Sequence, residues 1–245
     1  MSGESMVHGL STANLGKPDI DTAAAQQAGY IAVLECLQIE VLVLDAAEQF
    51  PDSVFVEDTA ILTPDCAIIT RPGADSRRGE TELIEPTLSW FFPVIERIEA
   101  PGLLDGGDVM AAGDDYYIGL SHRTNEEGAR QLTTILAKYG KNGIALKQPA
   151  GLHLKSNVSY IENGFLVAAG EEQNRPEFDK FKIIPVDPDE TYAANCVWIN
   201  GTVILPLGFP KTKATIEACG YKTIALDMSE FQKLDGGLSC LSLRF

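Results

Sequence analysis

Basic residues are scarce in this chain. Nineteen lysines and arginines stand against 35 acids, a net charge of −16. Such a surface does not attract polyphosphate or an anionic bilayer, so neither nucleic acid nor membrane is expected as a partner. It does concentrate small cations, although surface acids also serve plain solubility. Long apolar runs are missing as well, and none approaches the roughly 20 residues that span a bilayer. No charged stretch leading into an apolar one opens the chain, so a cytoplasmic location is expected. The five cysteines (Cys36, Cys66, Cys196, Cys219 and Cys240) include no closely spaced pair. That spacing excludes a structural zinc site, and the odd count reads as reduced thiols. Oxygen ligands at calcium-loop spacing are lacking, and Gly106-Gly107 has no Lys-Ser/Thr ending to make it a phosphate loop. No resident metal is expected.

What is present is an ordinary globular composition, 245 residues long with 45% hydrophobic residues, enough for a core without disulfides. Strand, tight turn, strand and helix recur along it. Val54 to Leu62 reads as a strand, Thr63-Pro64-Asp65 as a turn and Cys66 to Arg71 as the partner. Val109 to Ala112 pairs with Tyr116 to Leu120. Val158 to Ile161 and Phe165 to Ala169 flank Asn163-Gly164, and Cys196 to Ile199 and Thr202 to Leu205 flank Asn200-Gly201. Asn-Gly between apolar runs is the strongest short hairpin signal, because both turn residues need positive φ. Helices are expected over Thr22–Leu37, Thr81–Trp90 despite Pro86, Asn125–Tyr139 and Lys211–Cys219. Asn125 caps the third, with Gly140 at its end, and Gly220 closes the fourth. Four such units imply an internally repeated α/β fold. No linker separates them, so residues 7–245 read as one domain after a polar start, residues 1–6, expected to be disordered or foreign to the natural chain.

Chemistry concentrates in a few places. Near the end stands Leu234-Asp235-Gly236-Gly237-Leu238-Ser239-Cys240. Its glycines let backbone approach a ligand, and a nucleophile type follows, though a lone cysteine near glycines is more often inert. Of only three histidines, His153 lies where a loop enters a strand and is the best placed to act as acid and base, with a structural histidine as the bland alternative. Asp52, Glu57 and Asp58 bracket an apolar stretch. On a strand Asp52 and Asp58 share parity, and such carboxylates suit a guanidinium; an exposed acidic strand end is the simpler reading. Asp105 and Asp108 surround Gly106-Gly107.

Seven ordered motifs then carry a resemblance: Asp52 to Asp58, Ile69 to Glu80, Leu104 to Val109, Ile118 to Asn125, His153-Leu154-Lys155-Ser156, Ala193-Ala194-Asn195-Cys196 and Asp235 to Ser242. Together they resemble the dimethylarginine dimethylaminohydrolases, in order from about Val7 to Phe245. The resemblance implies a five-bladed α/β propeller (pentein) of ββαβ units. It implies Cys240 as nucleophile, His153 as general acid and base, and Asp105 as the carboxylate that orients it. Asp58, with Asp52 and Glu57, would hold the substrate guanidinium, and Arg77 and Arg123 its α-carboxylate. Leu10 would lie in a covering lid, Leu234 would give a backbone contact, and Asp235 is counted among the substrate ligands. The family usually opens with a strand ahead of the lid. Only Met1 to Val7 precede it here, so the first blade is expected to be incomplete or the N-terminus altered.

The implied reaction hydrolyses N-methylated arginine to citrulline and a methylamine through a covalent thiouronium on cysteine, with no cofactor. Zinc is expected only as an inhibitor at Cys240 and His153, and a homodimer is allowed. The readings weighed against it are an arginine deiminase or amidinotransferase, and a silent arginine-binding module. The first lacks room for its extra helical insertion, and the second leaves Cys240, His153 and Asp105 without a reason to occur together.

Overall fold

A computed structural model of the chain describes residues 3–147 and 152–245. Met1, Ser2 and the stretch 148–151, which includes Gly151 ahead of His153, lie outside the described residues. Helices α1 (Ile20–Cys36), α2 (Glu80–Phe91), α3 (Glu126–Lys138), α4 (Pro210–Ala218) and α5 (Ser229–Gln232) accompany twelve short strands. None of these helices is long and apolar enough to cross a membrane.

The strands form four three-stranded sheets: β1 (Ala60–Leu62), β2 (Ala67–Ile69) and β3 (Ile95–Arg97); β4 (Val109–Ala112), β5 (Asp115–Leu120) and β6 (Asn142–Lys147); β7 (Val158–Tyr160), β8 (Phe165–Ala168) and β9 (Lys182–Pro185); β10 (Val197–Ile199), β11 (Thr202–Pro206) and β12 (Lys222–Leu226). In each, the first two strands make an antiparallel hairpin and the third joins parallel to the second. Val109 faces Ile118 and Val197 faces Ile204 across their hairpins, while Ile118 pairs with Ala145 and Ile204 with Ile224. The parallel strand needs a crossover. Helices α2, α3 and α4 supply it in three sheets. In the sheet of β7 to β9 two short 3-10 turns, Gly170–Asn174 and Pro176–Phe178, take the helix's place.

Local chemistry explains most boundaries. The Asn163-Gly164 and Asn200-Gly201 turns take φ of 53° and 77°, and of 46° and 86°, the positive values this pair adopts at least cost. Asn125 accepts the Gly128 N–H at 2.8 Å and so caps α3, whose first turn carries Glu126 and Glu127. Helix α1 starts two residues before the expected Thr22, because Asp19 accepts the Thr22 N–H at 2.8 Å. Pro86 sits inside α2 and forfeits one backbone bond without ending the helix.

Each first strand is entered through a 3-10 turn: Val56–Thr59 before β1, Gly106–Asp108 before β4, Leu154–Ser156 before β7 and Thr191–Ala194 before β10. A fifth such turn, Ser239–Leu241, comes last. The strand expected over Val54 to Leu62 therefore shrinks to Ala60–Leu62, and the shared strand parity of Asp52 and Asp58 does not hold. The alternating pattern there is overruled by two buried carboxylates, Glu57 and Asp58, whose partners need a tighter backbone.

The chain divides into two compact units, one comprising residues 1–54 and 156–241, the other residues 55–155 and 242–245. Each has its own core. Ile61, Ile68, Leu104, Ile118, Leu132 and Leu136 are buried together in the second unit. Ile161, Val167, Ile184, Val203, Leu205 and Ile216 are buried together in the first. Four sheets stand among the described residues where five blades were expected, and α1 has no hairpin of its own there. Where disorder was expected, Glu4–His8 form a 3-10 turn with Met6 buried and the Glu4 and Ser5 N–H groups on Glu48.

Candidate active site

The polar residues singled out in the sequence fall in two clusters, one in each unit. In the second unit, His153 is only 6% exposed. Its Nε2 lies 3.0 Å from Asp105 Oδ2, and its Nδ1 lies 3.9 Å from Asp58 Oδ1. Asp105 is held from both sides, with Oδ1 accepting the Gly73 N–H at 2.8 Å and Arg123 Nη1 at 3.9 Å from Oδ2. Gly107 donates its N–H to Asp58 at 2.8 Å. A β-carbon at Gly107 would meet His153 Nδ1 at 2.5 Å and Asp58 Oδ1 at 2.9 Å, so only glycine lets ring and carboxylate approach.

Burial works against the charged imidazole, but Asp58, the hydrogen bond to Asp105, and Asp108 outweigh it, and His153 is pushed up to about 9. Burial likewise opposes the Asp58 carboxylate, yet His153, Arg77 and the Gly107 N–H hold it well below the usual carboxylate range. The imidazole therefore keeps its proton at neutral pH, as a general acid must.

Arg77 is placed differently from expectation. Its guanidinium is buried, paired with Asp58 and Glu80, and it donates to the Phe55 carbonyl at 2.9 Å. It is the counter-ion to two buried carboxylates and helps keep Asp58 ionised. Arg123, at the loop after β5, keeps a more accessible side chain. Glu57 is buried and accepts Lys155 Nζ at 2.6 Å, with Arg244 Nη2 at 3.5 Å. Ligand atoms of Asp58, Asp105 and His153 lie within 4.8 Å of one another, close enough to hold a metal. Their chemistry fits a proton relay better, since the Arg77 guanidinium already occupies Asp58 with positive charge.

In the first unit, Cys240 is half-buried in the last 3-10 turn, where Sγ accepts the Gly237 N–H at 3.4 Å. Asn195 frames that turn. Its Oδ1 accepts the Ser239 N–H and its Nδ2 donates to Ser239 Oγ, both at 3.0 Å. A β-carbon at Gly237 would meet the Asn195 carboxamide at 2.5 Å. Tyr192 donates to the Gly236 carbonyl at 2.8 Å, and its phenol is pushed up by burial and by Cys240. Leu234 is buried. Asp235 adopts φ of 59°, and its Oδ2 accepts the Thr12 N–H at 2.5 Å and hydroxyl at 3.0 Å. Asp52 accepts the Leu10 N–H at 2.9 Å. Both carboxylates, expected on a substrate, thus hold the backbone around the exposed Leu10.

Sequence reading singled out Asp108 beside Gly107 without a role, and missed Glu80, Asn195 and Tyr192 as parts of these clusters. Asn195 and Glu80 were inside quoted motifs, but nothing local distinguishes a buried partner from a surface residue. Cys66 and Cys196 are buried with their thiols pushed up by that burial, Cys196 to about 12, which fits packing roles.

No protein-family model matches the chain. An N(G),N(G)-dimethylarginine dimethylaminohydrolase from Pseudomonas aeruginosa is 51% identical over 242 residues, covering 98% of this chain and 95% of that protein. A solved structure of that organism's enzyme, a Cys-to-Ser mutant complexed with citrulline, superposes with a TM-score of 0.98 at 50% identity, over 99% of this chain and 96% of that one. Another solved dimethylarginine dimethylaminohydrolase structure, a His-to-Gly variant as an adduct with S-methyl-L-thiocitrulline, has the same TM-score, identity and coverage. With half its residues identical over nearly the whole length, this chain belongs to the dimethylarginine dimethylaminohydrolase family and has its pentein fold.

Proposed function

We propose that the protein hydrolyses N-methylated arginines, asymmetric dimethylarginine and monomethylarginine, to citrulline and a methylamine, with Cys240 as nucleophile. The observation that carries this reading is the buried His153–Asp105 pair in its acidic surroundings. It supplies a protonated imidazole where leaving an amine demands one.

A guanidinium carbon is a weak electrophile because its charge is delocalised. The Cys240 thiolate forms a C–S bond to that carbon, and the C=N electron pair moves to nitrogen. His153 gives its proton to the methylated nitrogen, the C–N bond breaks and the amine leaves. A thiouronium remains on Cys240. Water, losing a proton to His153, attacks the same carbon, the C–S bond breaks and citrulline departs. Asp58 offers its carboxylate to the guanidinium, and Arg123 reads the α-carboxylate. Arg77 serves this scheme by keeping Asp58 ionised rather than by touching substrate. No cofactor enters, and zinc held by Cys240 and His153 would only inhibit. We place the enzyme in the cytoplasm, with residues 7–245 as the catalytic domain; a homodimer is compatible with the reading.

The test is a citrulline assay on arginine, monomethylarginine and asymmetric dimethylarginine in parallel. Turnover of the methylated substrates in preference to arginine is expected. Preference for arginine would make the protein a deiminase, and no citrulline from any of the three would leave it a binding module.

A further inference from the structure

Asp108 has no part in the scheme above, yet its carboxylate is completely buried. Burial pushes its carboxyl upward, so the ionised form needs firm partners. Those partners come from two different loops. Oδ1 accepts the Leu154 N–H at 3.0 Å, on the residue directly after His153. Oδ2 accepts the Ser121 hydroxyl at 2.7 Å.

The direction of that second bond is fixed by counting. Ser121 Oγ also accepts the N–H groups of Arg123 at 2.9 Å and Thr124 at 3.2 Å. A hydroxyl has two lone pairs and one proton. With both lone pairs taken by backbone, its proton must point to Asp108. Thr124 in turn accepts the Asp105 N–H at 3.1 Å through its own hydroxyl. One carboxylate therefore ties the backbone beside His153 to the turn that presents Arg123.

We infer that Asp108 is a positioning residue that sets the acid–base imidazole and the carboxylate-reading Arg123 in one fixed register. The inference rests on the proposed roles of those two groups. A substrate gripped at its α-carboxylate end then has its reacting nitrogen delivered to the proton donor at a distance the protein dictates. Misplacement by an ångström at such a site lowers rate by about 100-fold. A carboxamide cannot replace the carboxylate. Its oxygen accepts one donor, and its NH2 group then faces either the Leu154 N–H or the Ser121 proton, donor against donor.

The experiment compares wild type, Asp108→Asn and Ser121→Ala by steady-state citrulline formation from monomethylarginine across pH, with thermal midpoints alongside. Asp108→Asn should lower kcat about tenfold or more and raise KM. It should also move the alkaline limb of kcat to lower pH, because His153 loses one of the carboxylates that hold its proton. Ser121→Ala, which touches only the Arg123 arm, should raise KM by about threefold or more and leave the alkaline limb in place. Wild-type kinetics and pH profile in Asp108→Asn, with or without a lower midpoint, would overturn the inference. If Asp108→Asn does not fold, an unchanged KM in Ser121→Ala overturns it. Lack of citrulline from wild type would instead strike the functional reading itself.

Discussion

The two clusters are built on opposite principles. Around His153 the chain buries charge against charge, so that Asp58, Asp105, Asp108, Arg77 and Glu80 fix one another through side chains. Around Cys240 it places the reactive group on a tight glycine-bearing turn, framed by a carboxamide and a phenol. The difference follows from the work proposed for each. An imidazole whose proton affinity must be raised needs negative neighbours held at short range, and only a rigid ionic network prevents their repulsion. A thiolate needs access to an electrophile, which a half-exposed turn gives and a closed network would deny. The lesson is that one chain can keep charge tuning and thiol exposure on separate scaffolds.

Removing the thiol proposed as nucleophile tests the exposed half most severely. Cys240→Ser should cut citrulline formation by about 10³-fold or more, because a serine alkoxide is far harder to form at neutral pH. Its thermal midpoint should match wild type, since the turn is held by Asn195 rather than by sulfur. Near-normal turnover in this variant would sink the assignment.

On the tuned half, His153→Ala should lower turnover by about 10²-fold. Retention of more than a tenth of the activity in a folded variant would shift the acid–base role to His122.

Stability separates the two arginines of the tuned half more sharply still. Arg77→Ala strands two buried carboxylates and should reduce folding stability by about 3–5 kcal/mol, read from denaturant midpoints. Arg123→Ala should raise KM about tenfold and barely move those midpoints. Equal midpoint losses in the two variants would return Arg77 and Arg123 to a shared role.

The gentlest probe is pH. His153 ordinarily titrates at 6.5 and is lifted to about 9 in the fold. Its contribution to stability should be fully present below pH 6.5 and fade as pH rises through 9. Thermal midpoints of wild type should therefore fall across that window relative to His153→Gln, and kcat should lose its acid near pH 9. Parallel curves for the two proteins would mean the imidazole is neutral in the fold.

Much of this was legible beforehand. The Asn163-Gly164 and Asn200-Gly201 hairpins and the Asn125 cap appear where turn and capping chemistry placed them, because those signals are local. The Val54 to Leu62 strand failed for the opposite reason. Its alternation is local, but the 3-10 turn that replaces most of it answers to partners such as Arg77 and Gly107 that are distant in sequence. Thr70, donating to the Asp58 carbonyl at 2.6 Å, is another such partner. Arg77 shows the same limit in the site. Its residue type announced a carboxylate partner, and only the fold reveals that the carboxylate is the protein's own. The 3-10 entry to each hairpin, which presents Glu57 and Asp58, Asp108 and, in the last turn, Cys240, has no sequence signature beyond nearby glycines.

The interleaving of the two units carries a consequence for synthesis on the ribosome. Residues 55–155 are contiguous, so their core of Ile61, Ile118 and Leu136 is fully translated while much of the chain is still unmade. Residues 1–54 have no such prospect. Ser11 donates to the Lys233 carbonyl at 2.6 Å and Thr12 binds Asp235, partners translated more than two hundred residues later. The backbone at Ser11 and Thr12 is thus tied down long after it is translated. The loop that follows Leu10 gains its Lys233 and Asp235 anchors only when the segment bearing Cys240 arrives.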